Sequence, residues 1–341
     1  MSAQKSREIR LARRPEGMPT PRDFELAETD VPSPGPGQVL VHNIYMSVDP
    51  YMRGRMVQRE SYVPPFQVGE ALSGGAVGQV VESTNPNFKA GDYVSNFSGW
   101  KEWFATPGGD LTKIDPAMAP IQAFLGALGM PGLTAYAGLL KVGELKDGER
   151  VFVSAASGAV GAIVCQIAKN KGCYVVGSAG SDEKCDWLTK EVRCDKAINY
   201  RKAGNLTAAV KGAFPEGIDV YFENVGGAHL DAALANMRMY GRIPVCGMIA
   251  QYNETALPPG PANIINVIPQ RLTIRGFIVT DYASLTPQFL RDMSEWHGAG
   301  KMTWRETVYD GIERAPEAFI GLFKGENFGK MLVKIGPDPA V

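Results

Sequence analysis

Two rhythms of hydrophobic and polar positions divide the chain. Between Pro32 and about Asp115 the apolar runs are short and are cut by glycine and proline, at residues 38–45, 76–82, 93–97 and 102–105. Short strands with this punctuation predict a β-rich, barrel-like domain. From about Gly148 the spacing changes. Residues 150–154 read as a buried strand, 159–171 as a helix, 174–178 as a strand, 182–191 as a helix and 196–200 as a strand. The pattern continues with helix 206–214, strand 218–223, helix 228–237 and strand 242–249. Strict alternation of this kind calls for a parallel sheet with helices on both faces, a doubly wound nucleotide-binding domain. After a Pro/Gly loop at 257–261, residues 272–280 supply a sixth strand and 286–296 a helix. Residues 303–335 return to strand and helix signals, ending in strand 330–335, and are expected to rejoin the N-terminal domain.

Length agrees with two domains, since 341 residues allow two sizeable cores. The 35 basic and 36 acidic side chains leave a net charge of -1, which argues against nucleic acid or an anionic membrane as partner. Five cysteines, Cys165, Cys173, Cys185, Cys194 and Cys246, are odd in number and form no C-x-x-C pair, against both a disulfide framework and a zinc ribbon. The histidines, His42, His229 and His297, are far apart, so no local metal motif is present and no metal is expected. The polar stretch from Met1 to Arg14 lacks an apolar core, so no secretory signal is read there and cytoplasmic residence is expected. Residues 116–140 carry no charge, yet Pro116, Pro120 and Pro131 interrupt them too often for a membrane span; buried backbone between domains is expected. Glycine is in excess, 39 residues or about 11% against a usual value of about 7%.

Part of that excess marks the strongest local motif, Val153-Ser154-Ala155-Ala156-Ser157-Gly158-Ala159-Val160-Gly161, which follows a strand and opens a helix. It fits G-x-G-x-x-G with Ala156, Gly158 and Gly161 in the three glycine positions, so the backbone is expected to approach a pyrophosphate at the helix N-terminus. An acidic residue about 20 positions on, at the end of the second strand, would bind the ribose of NAD. Here that place reads Gly177-Ser178-Ala179-Gly180-Ser181, without a carboxylate, and Lys184 stands one turn into the next helix. NADP(H) is therefore expected rather than NAD.

Further motifs recur in order: Val48-Asp49-Pro50-Tyr51-Met52-Arg53, Leu128-Gly129-Met130-Pro131-Gly132-Leu133-Thr134-Ala135-Tyr136, Ile198-Asn199-Tyr200, Phe222-Glu223-Asn224-Val225-Gly226-Gly227, Cys246-Gly247 with Gln251-Tyr252-Asn253, Arg275-Gly276-Phe277 and Gly325-Glu326-Asn327-Phe328-Gly329-Lys330. On these residues the chain resembles, over nearly its whole length, the zinc-free branch of the medium-chain dehydrogenase/reductases that holds prostaglandin reductases, plant double-bond reductases and bacterial curcumin reductases. The zinc alcohol dehydrogenases of that superfamily have Gly-His-Glu where this chain reads Val68-Gly69-Glu70.

The resemblance implies an α/β fold, a Rossmann doubly wound parallel sheet plus a β-rich GroES-like barrel domain. The NADP-binding domain would be 131–299, and the substrate and catalytic domain 1–130 with 300–341. It implies that Gly158, Ala159, Val160 and Gly161 hold the pyrophosphate and that Lys184 and Tyr200 meet the 2′-phosphate. Asn224, Cys246, Gly247, Ile249 and Tyr252 would run beside the ribose and nicotinamide, with Thr134 near the carboxamide, and Phe277, Ile278, Val279 and Asn327 would close over the cofactor. The implied reaction is NADPH-dependent reduction of the α,β double bond of an enone or enal, in a homodimer. Hydride attack at the β-carbon builds charge on the carbonyl oxygen, which needs a hydrogen-bond donor; Tyr252 is the first candidate and Tyr51 the second. A quinone reductase of the same superfamily and a non-catalytic NADP-binding protein are the alternatives.

Overall fold

In the computed structural model, which describes residues 4–256 and 258–338, the alternating stretch becomes a six-stranded sheet. Leu257, the first residue of the expected Pro/Gly loop, lies outside the described residues, as do 1–3 of the basic N-terminal stretch. The sheet strands are β1 (Arg150–Val153), β2 (Tyr174–Ala179), β3 (Lys196–Asn199), β4 (Ile218–Phe222), β5 (Met237–Val245) and β6 (Thr273–Gly276). They lie in the order 3-2-1-4-5-6, with every registered pair parallel. This is the doubly wound nucleotide-binding order, in which ligands collect at the carboxyl ends of the strands beside β1 and β4.

The central strand β1 is buried along Val151–Phe152–Val153, as a strand covered on both faces must be. One face packs Phe152, Phe214, Ile218, Tyr221 and Leu234 into a core, with Phe152 edge-on to Phe214. The helix Gly161–Asn170 buries every residue from Gly161 to Ala168. Its buried Gln166 holds Thr303 twice, donating from Nε2 to the Thr303 carbonyl and accepting the Thr303 N–H at Oε1, both at 2.8 Å. The next two helices begin on side-chain caps: Ser181 accepts Lys184 N–H ahead of Asp182–Lys190, and Asn205 accepts Ala208 N–H ahead of Leu206–Ala213.

Three local expectations are corrected. Strand β5 begins at Met237, not 242, because a register shift against β4 and a positive φ of 62° at Tyr240 hide the continuity of the strand in the sequence. It ends at Val245, so Cys246 to Ile249 lie beyond the strand. The sixth strand stops at Gly276 rather than 280; Val279–Leu285 is a 3-10 helix. The second half of the 116–140 stretch is helical, Met130–Ala137 continued by a π turn Gly138–Val142. Pro131 sits in the first turn, where its missing N–H costs nothing, and a Cβ at Gly132 would lie 2.0 Å from the Ala127 carbonyl oxygen.

The chain folds as two compact units. The nucleotide-binding unit is Gly126–Arg305 with Phe328–Lys330; the other comprises the residues up to Leu125, Glu306–Asn327 and the residues from Met331 onward. This second unit is antiparallel and β-rich. Its main sheet runs Glu306–Asp310, Lys330–Lys334, Val39–Ser47, Ala76–Ser83, Tyr93–Asn96 and Thr112–Lys113, with Trp103–Thr106 also paired to Val39–Ser47. A ribbon of Lys5–Leu11 and Phe24–Asp30 was not legible from hydrophobicity, because charged residues alternate along both strands. Its Ile9, Leu11 and Phe24 are nonetheless buried in one core with Trp100 and Phe319, Phe24 stacking on Trp100.

Candidate functional site

The phosphate loop is built by close approach. A Cβ on Gly161 would stand 2.4 Å from the Ala155 carbonyl oxygen, and one on Gly177 in β2 would stand 2.6 Å from Ala156 Cβ. Only glycine fits at either place. The left-handed residue of the turn is Ala155, with φ 46°, one position before the first glycine place assigned from the motif. Gly158 N–H bonds back to the Ala155 carbonyl at 3.0 Å, and Gly329 pairs with Gly158, donating its N–H to the Ser157 carbonyl at 2.9 Å. The loop therefore has a second backbone strand beside it, brought by the 328–330 segment of the same unit.

At the end of β2 no carboxylate is present. Ser178 is fully buried, its carbonyl accepts Ala156 N–H at 2.9 Å, and its Oγ makes no hydrogen bond. Beyond it, a Cβ on Gly180 would meet Tyr200 Oη at 3.0 Å and Arg201 Nε at 3.3 Å. Lys184, half-buried, has its pKa pushed down by burial and by the Arg201 charge. The first acid of the following helix, Asp182, is engaged by Lys202 Nζ and by Asn199 Nδ2 at 2.6 Å, which in that order hold its carboxyl below the usual range. A strand end of this kind has a place for a phosphate and none for a ribose diol held by a carboxylate.

At the end of β4 a feature absent from the sequence reading appears. Glu223 is fully buried, and a single carboxylate oxygen accepts Tyr221 Oη–H at 2.8 Å, Ser154 Oγ–H at 3.2 Å, Val225 N–H at 2.6 Å and Gly226 N–H at 2.9 Å. Burial raises its pKa while these donors oppose the rise. Asn224 is locked in place by the same network, its N–H donating to Ser154 Oγ and its Nδ2 to the Ser154 carbonyl at 2.8 Å. The Glu223 carbonyl accepts Cys246 N–H, and those of Asn224 and Val225 accept Ile249 and Ala250 N–H, so the 246–252 segment hangs from this turn. A lone glutamate ahead of an asparagine looks like solvated charge in a sequence; only the convergence of donors reveals the role.

Within that segment Tyr252 Oη accepts Met248 N–H at 3.3 Å and lies against Gly247, where a Cβ would be 2.8 Å away. A phenol that accepts a hydrogen bond is polarised to donate its own proton. Cys246 is no nucleophile: burial, with the Glu223 charge, pushes its thiol up to about 12. Phe277 is edge-on to Phe222 and Tyr282 and covers Gly138, with Ile278 and Val279 half-buried after it. Thr134 Oγ1 donates to the Met130 carbonyl at 2.7 Å, leaving its lone pairs to accept.

Two of the expected residues, Tyr51 and Asn327, belong to the β-rich unit. The Tyr51 hydroxyl is buried and makes no geometrically satisfactory hydrogen bond; burial first, then the Asp49 charge, hold it protonated. Asn327 is half-buried. Among the described residues no group of three or more His, Cys, Asp or Glu side chains is placed to hold a metal ion, and no helix is long and apolar enough to cross a membrane.

A doubly wound sheet with this loop and this strand end defines an NADP(H)-dependent dehydrogenase or reductase, and the residues fit that cofactor: glycine-tight backbone for the pyrophosphate, cations and a phenol where the 2′-phosphate would lie. Residues 7–114 match the family model "N-terminal domain of oxidoreductase" and residues 159–295 the model "Zinc-binding dehydrogenase". The chain is 45% identical to the NADPH-dependent curcumin reductase of Escherichia coli over 99% of its own length and 100% of that protein's. It is 47% identical to the NADP(+)-dependent 2-alkenal reductase of Nicotiana tabacum, covering 94% of this chain and 95% of the other. The crystal structure of CurA in complex with NADPH from Vibrio vulnificus superposes with a TM-score of 0.93 at 41% identity, covering 97% and 100% of the two chains. The chain belongs to the medium-chain dehydrogenase/reductase family of curcumin, 2-alkenal and prostaglandin reductases.

Proposed function

We propose that this chain is an NADPH-dependent reductase of the α,β carbon–carbon double bond of enones and enals, delivering hydride to the β-carbon with protonation at the α-carbon. The observation that carries this reading is the strand end at Gly180, cationic and free of carboxylate, in a chain this similar along its whole length to curcumin and 2-alkenal reductases. NADPH, when bound, supplies the hydride. Gly158 to Gly161 would seat the pyrophosphate, Lys184 and Tyr200 the 2′-phosphate, and Thr134, Asn224, the 246–252 segment, Phe277 to Val279 and Asn327 the remainder. Tyr252 would donate to the carbonyl oxygen as enolate charge develops there. Tyr51, a buried donor without an acceptor, is the second candidate.

The test is NADPH consumption with alkenals, aryl enones, curcumin-like dienones and quinones, with products identified by mass. Reduction of the C=C bond supports the reading. Turnover of quinones alone makes the protein a quinone reductase, and tight NADPH binding with no turnover makes it a binding protein. Tyr252→Phe is expected to lose more than about tenfold in kcat/KM on an enone, about 1.4 kcal/mol or more, with NADPH affinity by fluorescence within about twofold of wild type. Unchanged turnover would move the role to the ribose 2′-hydroxyl of the cofactor or to Tyr51.

A homodimer fits the surface of the nucleotide-binding unit. Strand β6 is an exposed edge along its whole length, and Ile265, Ile268 and Tyr240 near it are 63%, 72% and 65% exposed. Open edges beside apolar surface pair with another strand. Light scattering is expected to give twice the 36.8 kDa chain mass, and a monomer would refute the assignment. Five free thiols accord with a reducing, cytoplasmic setting.

A further inference from the structure

We propose that Arg201 is a specificity-determining residue, the guanidinium that clamps the 2′-phosphate of NADPH across Gly180. The proposal rests on the NADP reading above and assigns a residue that the motifs do not single out. After β3 the chain runs Asn199-Tyr200-Arg201-Lys202, and the turn is fixed by Arg201 N–H donating to Asn199 Oδ1 at 3.2 Å and by Lys202 N–H donating to the Asn199 carbonyl at 3.1 Å. The two consecutive cations are thereby sent to different tasks. Lys202 reaches Asp182, the first acid of the helix that follows the strand end, and offsets its charge. Arg201 turns back toward the strand end, where its Nε stands 3.3 Å from the Cβ position of Gly180 and Tyr200 Oη stands 3.0 Å from the same point. A side chain at 180 would fill the space onto which the phenol and the guanidinium converge.

A further observation points to an anion there. Lys184 and Arg201 lie near enough for the Arg201 charge to depress the lysine. A dianionic phosphate beside the two would relieve that repulsion. The planar fork of arginine bonds two phosphate oxygens at once, where lysine acts as a point charge, so Arg201 adds orientation to the charge that Lys184 provides.

The experiment is calorimetric titration of the whole protein with adenosine 2′,5′-bisphosphate and with AMP, which differ only in the 2′-phosphate. Arg201 is exposed, so its variants are expected to keep the wild-type Tm. Arg201→Ala is expected to lose at least tenfold in affinity for the bisphosphate and less than twofold for AMP, with Arg201→Lys between wild type and alanine. Lys184→Ala, run beside it, is expected to show the same selective loss. Wild-type affinity of Arg201→Ala for the bisphosphate, with Lys184→Ala impaired, would overturn the proposal and leave the NADP reading standing. Equal affinity of wild type for the two nucleotides would instead overturn the reading on which the proposal rests.

Discussion

Gly329→Ala is expected to lower stability by about 4 kcal/mol and to weaken NADPH binding at least tenfold. Gly329 has φ 66°, and a Cβ there would lie 1.9 Å from the Arg305 carbonyl oxygen and 2.6 Å from its carbon. Both are backbone atoms, so no side chain can swing aside. The left-handed conformation itself costs alanine about 1–2 kcal/mol. Relieving the clash also separates two hydrogen bonds, Lys330 N–H to the Arg305 carbonyl and Gly329 N–H to the Ser157 carbonyl, each 2.9 Å long and worth about 1 kcal/mol. The second of these holds the phosphate loop beside Gly158, which is why binding falls with stability. Thermal unfolding and fluorescence titration with NADPH measure the two losses, and a variant that matched wild type in both would show that the bridge is dispensable.

Acidification should destabilise the fold through His229. This imidazole, in the helix Gly227–Leu234, is buried edge-on to Tyr200 at 5.0 Å, its Nε2 has no hydrogen-bond partner, and burial alone lowers its pKa to about 4. An unfolded histidine titrates near 6.5. Between those values the unfolded chain takes up a proton that the folded chain refuses, so stability rises with pH across this window. It is complete above about pH 6.5 and is lost progressively as the pH falls toward 4, by about 3 kcal/mol in total. Carboxylates titrate in the same range, so the measurement is a difference. Urea unfolding of wild type and His229→Phe, from pH 7.5 down to 4.5, should give curves that diverge on the acid side, the wild type falling faster. Parallel curves would mean that the histidine is protonated in the native state.

Much of the nucleotide-binding unit is legible in the sequence because a parallel sheet buried on both faces leaves continuous apolar runs, such as Val151 to Val153, that are separated by helices of readable period. The phosphate loop is legible because steric demand at Gly161 admits one residue type. Legibility ends where the cause is tertiary. The ribbon of Lys5–Leu11 and Phe24–Asp30 alternates buried and charged positions that look like a solvated tail until Trp100 and Phe319 are placed beside them. Strand β5 is obscured at Tyr240 and Gly241, where the register against its neighbour slips. Glu223 reads as one more surface acid, although four donors converge on it. Arg201 and Lys202 are equivalent in sequence and are distinguished only by which of them Asp182 engages.

The return of residues 328–330 to the nucleotide-binding unit acquires a meaning in time. A chain leaves the ribosome from its N-terminus, so the Gly158 loop is made roughly 170 residues before Gly329 can pair with it, on the order of ten seconds or more at ordinary elongation rates. Strand Val39–Ser47 waits longer still for its partner Lys330–Lys334. Neither pairing can therefore form until the end of translation, and both depend on the same short segment. A nascent chain stalled short of about residue 330 would expose an unpaired sheet edge in one unit and an unbridged loop in the other, two openings that chaperones and proteases can recognise and that the finished chain removes together.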